Sequence, residues 1–143
     1  YVELDRASGS GGEVVPFLLY ALQGFVDGLK KQLDEIRRFQ HKTIWRDYVN
    51  RILQTEGGSG SAEVRMRQRD LVVAISNREQ FVPLSKVILL TPEIAQAYAR
   101  KTRKTVSRDL NALRNLGLLE VSPAGVRARI ETILAFLPPK KRT

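Results

Sequence analysis

The chain has 143 residues and no cysteine, which excludes disulfides, thiolate metal sites and cysteine nucleophiles. Its 43% hydrophobic content suits a folded aliphatic core rather than a disordered chain. The formal net charge of +9 lies wholly in one half: residues 1–61 hold 8 Lys/Arg and 8 Asp/Glu, whereas 62–143 hold 16 and 7.

A charge confined to one half points to a polyanion-binding module joined to a neutral partner. The plainer reading is a solubilising surface. No apolar run reaches the roughly 18 residues of a membrane span, so no membrane partner is expected. No signal peptide is recognisable, and a cytoplasmic location is expected by default. The chain opens on Tyr1 rather than Met, which reads as a fragment of something longer.

Ala7–Gly12 reads as a flexible lead-in, with no Gly-Lys-Ser/Thr to make it a phosphate loop. From Pro16, tolerated in a first helical turn, the apolar residues Leu18, Leu19, Leu22, Phe25, Val26, Leu29, Leu33 and Ile36 recur at steps of three and four. Gly24 and Gly28 each weaken such a helix by about 1 kcal/mol, and their spacing suits a close helix–helix contact. Ile44, Trp45, Tyr48, Val49 and Ile52 keep the period. A helix over 16–54 would span roughly 58 Å at 1.5 Å per residue, so either a break near Gln40–Thr43 or a missing packing partner is expected. About 50 residues of helix cannot bury both faces alone, which implies dimerisation or excision from a larger helical domain.

Glu56–Ser61 reads as a coil-like linker. Glu63–Arg78 is predicted helical, with Val64, Leu71, Val72 and Ile75 inward and Arg65, Arg67 and Arg69 near its start, where phosphates or screening would offset the macrodipole. Gln80–Leu90 reads as a turn followed by either a short strand or a helical piece. Thr91 (N-cap), Pro92 and Glu93 start a short helix whose core stripe is Ile94, Ala95 and Tyr98. Thr102 can cap the next helix, where Val106, Leu110 and Leu113 face inward. Gly117 supplies a left-handed stop. Leu118–Val121, a turn at Ser122–Gly125, and Val126–Ile130 read as a hairpin. Ile133, Leu134, Phe136 and Leu137 form a docking segment that Pro138–Pro139 stop, and Lys140–Arg142 are expected to fray.

The order of short helix, basic turn, longer helix and hairpin is the pattern of a winged helix-turn-helix. At about 100° per residue, Lys104, Arg108, Asn111 and Asn115 point away from the inward stripe of the longer helix. Arg can pair bidentately with guanine and Asn with adenine. Thr105 and Ser107 flank this face and suit phosphates, while Arg127 and Arg129 sit on the hairpin within reach of an adjacent groove or backbone. Double-stranded DNA is the partner this pattern suggests. A merely solvated helix face is the alternative.

Two stretches resemble the C-terminal part of Fic/DOC-family proteins. G-G-E-V-V-P-F-L-L-Y-A-L-Q-G-F-V-D-G-L at 11–29 looks like the helix after the Fic catalytic motif. L-T-P-E-I-A-Q-A-Y-A-R-K-T-R-K-T-V-S-R-D-L-N-A-L-R-N-L-G-L-L at 90–119, with A-F-L-P at 135–138, looks like the winged helix that follows the Fic domain in many of these proteins. Fic enzymes carry H-P-F-x-(D/E)-G-N-G-R-x-x-R. The only histidine here, His41, stands in Q-H-K-T, so no catalytic residue carries over. The resemblance implies a parent that transfers AMP or a related group to a protein hydroxyl, and a Fic domain as an intrachain partner of this segment.

Other chemistry is sparse. A lone His41 lacks partners at metal-ligand spacing, so neither a metal nor a cofactor is expected. Asp34 and Glu35 are adjacent and point to different faces. Asp47 and Asp109 each follow an arginine, which suggests local salt bridges of little worth if exposed. Trp45 and Tyr48 read as core or interface anchors. The expected fold is mainly α: a long helix or helical hairpin over 1–56, a linker at 57–61, and a winged helix-turn-helix domain with a small β-hairpin over 62–143. The expected role is non-enzymatic and regulatory, either binding DNA, as a homodimer or within a larger assembly, or mediating protein contacts without DNA.

Overall fold

A computed structural model describes residues 14–57 and 60–136. The Ala7–Gly12 lead-in, the middle of the glycine–serine linker, and the readings for Leu137, Pro138–Pro139 and Lys140–Arg142 lie outside the described residues. The architecture is mainly helical, with one small antiparallel sheet among the described residues. Contacts divide the chain into two compact units, 1–42 and 43–143. Helix α1 (Val15–Thr55) supplies residues to both. It runs through Gln40–Thr43 without a break, because no proline or glycine there interrupts the i to i−4 hydrogen bonding.

In the first unit the apolar stripe of α1 faces solvent. Its eight large side chains keep between 41% (Val26) and 65% (Phe25) of their surface exposed. A Cβ added at Gly24 or Gly28 would meet nothing within 4 Å.

The second unit has a true core. The end of α1 contributes Trp45, Val49 and Leu53, each at most 3% exposed. The Trp45 and Tyr48 rings stack at 5.9 Å. Helix α2 (Ala62–Ser76) adds Leu71, Val72 and Ile75, while Val64 is only partly covered. Ser61 caps it, its hydroxyl accepting from the Val64 N–H at 3.3 Å.

The undecided Gln80–Leu90 segment contains both candidate forms. Val82 makes an isolated antiparallel bridge to Val126, with N–H to O distances of 2.8 and 2.9 Å, and Val87–Leu89 make a single 3-10 turn. Gly125 takes φ 132°, and a Cβ there would stand 2.1 Å from the Val82 carbonyl oxygen. The bridge therefore requires glycine at this position.

Helix α3 (Pro92–Tyr98) starts as expected: the Thr91 hydroxyl accepts from the Ile94 N–H at 3.3 Å. Its own backbone N–H and the Thr91 hydroxyl hold the Glu93 carboxyl below the usual carboxylate range. Helix α4 (Arg103–Asn115) follows after a four-residue turn. Thr102 occupies the N-cap position but makes no cap hydrogen bond; its hydroxyl lies 3.4 Å from that of Thr105. At the other end Gly117 takes φ 72°, and the N–H groups of Gly117 and Leu118 reach the carbonyls of Arg114 and Leu113 at 2.9 and 3.0 Å. These bonds satisfy carbonyls that the helix end leaves free.

The chain then forms β1 (Leu119–Ser122) and β2 (Gly125–Ala128), in register from Leu119 opposite Ala128 to Ser122 opposite Gly125. Leu119, Val126 and Ala128 point into the core. A 3-10 helix (Ile130–Phe136) closes the unit with fully buried Ile133, while Leu134 is half exposed.

Candidate nucleic-acid interface

The orientation of α4 is fixed from beneath. Leu110 and Leu113 are buried, Val106 is partly buried, and between them Asp109 is 2% exposed. A carboxylate so deep must find partners or unfold the site. It accepts from Arg67 Nε at 2.9 Å, Gln68 Nε2 at 3.1 Å and the Tyr98 hydroxyl at 2.8 Å. The Arg67 guanidinium also lies 5.5 Å from the centre of the Tyr98 ring. One carboxylate thus ties α2, α3 and α4 together.

This corrects the expectation of a local pair for Asp109. Its ion-pair partner is Arg67, 42 residues away, not the adjacent Arg108. It also removes Arg67 from the cations available to phosphates. Arg65 is drawn to the Gly60 carbonyl, and Arg69 pairs with Asp70 at 2.7 Å. The cluster perturbs its members. The hydrogen bond to Asp109 raises the pKa of Arg67 above the usual guanidinium value despite burial. Burial, then the Asp109 carboxylate, pushes the Tyr98 phenol well above its usual value, with Arg67 partly opposing.

With its only carboxylate turned inward, α4 presents an outer side free of acidic groups. Lys104, Ser107, Arg108, Asn111 and Asn115 are exposed, and Thr105 is half-buried. Ala112 among them is also partly covered. Among the described residues no carboxylate lies within ion-pair reach of Lys104, Arg108 or Arg129. Exposed Arg100, Lys101, Arg103 and Arg114 extend the cationic surface beyond the residues anticipated from sequence. Lys101 lies 3.8 Å from Glu63.

The hairpin arginines differ. Arg129 is exposed. Arg127 is engaged by Glu120 at 2.9 Å and Glu131 at 3.2 Å, and it lies 5.1 Å from the centre of the Phe81 ring. Its Nε is buried without a hydrogen-bond partner. An open cleft of about 770 Å³ runs between Arg114 and the hairpin, lined also by Glu120, Arg129 and Thr132. Among the described residues no group of His, Asp and Glu is placed to hold a metal ion, and no helix is long and apolar enough to cross a membrane.

Set against family models, curated proteins and solved structures, the chain matches none.

Proposed function

We propose that the segment after the glycine–serine run is a winged helix-turn-helix module that binds double-stranded DNA, with α4 set in the major groove and the β1–β2 hairpin as the wing. Support comes from a single observation: the outer side of α4 carries cations, amides and hydroxyls, while its one carboxylate is buried under it. Arg108 and Lys104 suit guanine edges or phosphates, and Asn111 and Asn115 suit adenine. Thr105 and Ser107 suit phosphates, as does Arg129 just after β2. Arg127, held by two carboxylates, stiffens the hairpin instead of neutralising phosphate.

We further propose, on the resemblance alone, that this segment belongs to the C-terminal region of a cytoplasmic Fic-family protein. Its part there is regulatory, and the chain itself does no chemistry, because it carries no counterpart of the family's catalytic motif.

A mobility-shift titration on mixed-sequence duplexes across a salt series tests the DNA role. Retardation should weaken linearly on a log–log salt plot, with a slope of about −0.9 per phosphate contacted. On a selected site, Arg108→Ala should weaken binding by about 1–3 kcal/mol if that side chain reads a base. Absence of retardation even at low salt would refute the proposal and favour a protein-contact module acting on a Fic domain without DNA.

A further inference from the structure

We propose that the apolar face of α1 before Lys42 is a homodimer surface, covered by the same face of a second copy of this chain. Leu18, Leu22, Phe25, Leu29, Leu33 and Ile36 keep 46% to 65% of their surface exposed. Their steps of three and four average to the ~3.6 residues of an ideal turn, so the stripe runs straight along the helix.

Its size fits one partner. At on the order of 90 Å² for each half-exposed large side chain, the eight residues of the stripe offer roughly 700 Å². A standard specific interface takes about 800 Å² from each partner. A contiguous apolar patch of this extent is seldom left in water.

The residues outside the stripe favour a second copy as occupant. The polar remainder of the segment carries both signs: Lys30, Lys31, Arg37 and Arg38 alongside Asp27, Asp34 and Glu35. Mixed charge suits a self-complementary contact about a two-fold axis. A surface meant for anionic lipid would be rich in Lys and Arg alone.

The test is sedimentation equilibrium of the full chain without nucleic acid, so its outcome is independent of DNA binding. The expected mass is twice 16.2 kDa, falling to 16.2 kDa on dilution. The double variant Leu22→Lys/Phe25→Glu should remain at 16.2 kDa at every concentration, with Trp45 fluorescence unchanged as proof that the second unit is folded. A wild-type chain that stays monomeric at its highest soluble concentration would overturn the proposal. So would a dimer that survives in the double variant, or a monomer that pellets with phosphatidylserine vesicles.

Discussion

Residues 14–42 and 43–136 carry the same kind of helical periodicity and end in opposite states. In the first, all eight large apolar side chains of the stripe stay exposed. In the second, Trp45, Val49 and Leu53, on the same continuous helix, lie in a core built from five further helical segments and a hairpin. Periodicity tells which face of a helix avoids water. It does not tell what covers that face, because the covering groups come from elsewhere in the chain or from another molecule. Within the second unit the contrast recurs at smaller scale: Arg108 and Asp109 are neighbours in sequence, yet one faces solvent and the other holds three helices together.

The comparison can be broken most severely at Asp109. Asp109→Ala leaves Arg67 buried without its carboxylate and should cost about 3–5 kcal/mol. Urea unfolding followed by the fluorescence of Trp45, the sole tryptophan and 2% exposed, measures it. A loss within about 0.5 kcal/mol, the range of ordinary surface changes, would mean that the cluster is not what seats α4.

Alkaline titration should show the same cluster. Burial and Asp109 raise the Tyr98 pKa in the folded state above the ordinary value of about 10. Between the unfolded and folded values the folded chain holds a proton that the unfolded chain has released, so stability falls as pH rises. The contribution is complete below about pH 10 and disappears as pH climbs through the folded value. Tyr98→Phe should flatten that part of the stability–pH curve; an unaltered curve would rule out the phenol as its source.

The smallest effect belongs to the exposed stripe. At a concentration where the chain is monomeric, Leu22→Lys should change Trp45-monitored unfolding by no more than about 0.5 kcal/mol. A larger loss would show that the stripe contributes to the second unit's stability, and the two regions would no longer be separable.

Much of the second unit was legible in order. Thr91 and Pro92 announce the start of α3, Gly117 ends α4, and the turn between Ser122 and Gly125 separates two strands, all by local backbone preferences that need no tertiary contact. The outward placement of Lys104, Arg108, Asn111 and Asn115 follows equally from helix geometry. The Gln80–Leu90 segment was not legible. Its form depends on Val126 reaching Val82 across a gap that only Gly125 leaves open, and a one-residue bridge has no period. Nor was the division of α1 between units. The glycine–serine run suggested a boundary near 57–61, whereas contacts divide the chain between Lys42 and Thr43. The reason is that the last turns of α1 share a core with α2 and the later elements of the second unit.

By itself the sequence determined the main helices, the start of α3, the stop of α4, the hairpin and the concentration of positive charge after residue 61, since each is set by neighbours within a few residues or by simple counting. Only the tertiary structure decided which charges remain available to a partner. Arg67 and Arg127 look no different in sequence from Arg108 and Arg129, but carboxylates distant in the chain or across a strand pair claim the first two and leave the others in water. Coulomb attraction and burial act through space, and a linear chain does not state which of its groups will meet.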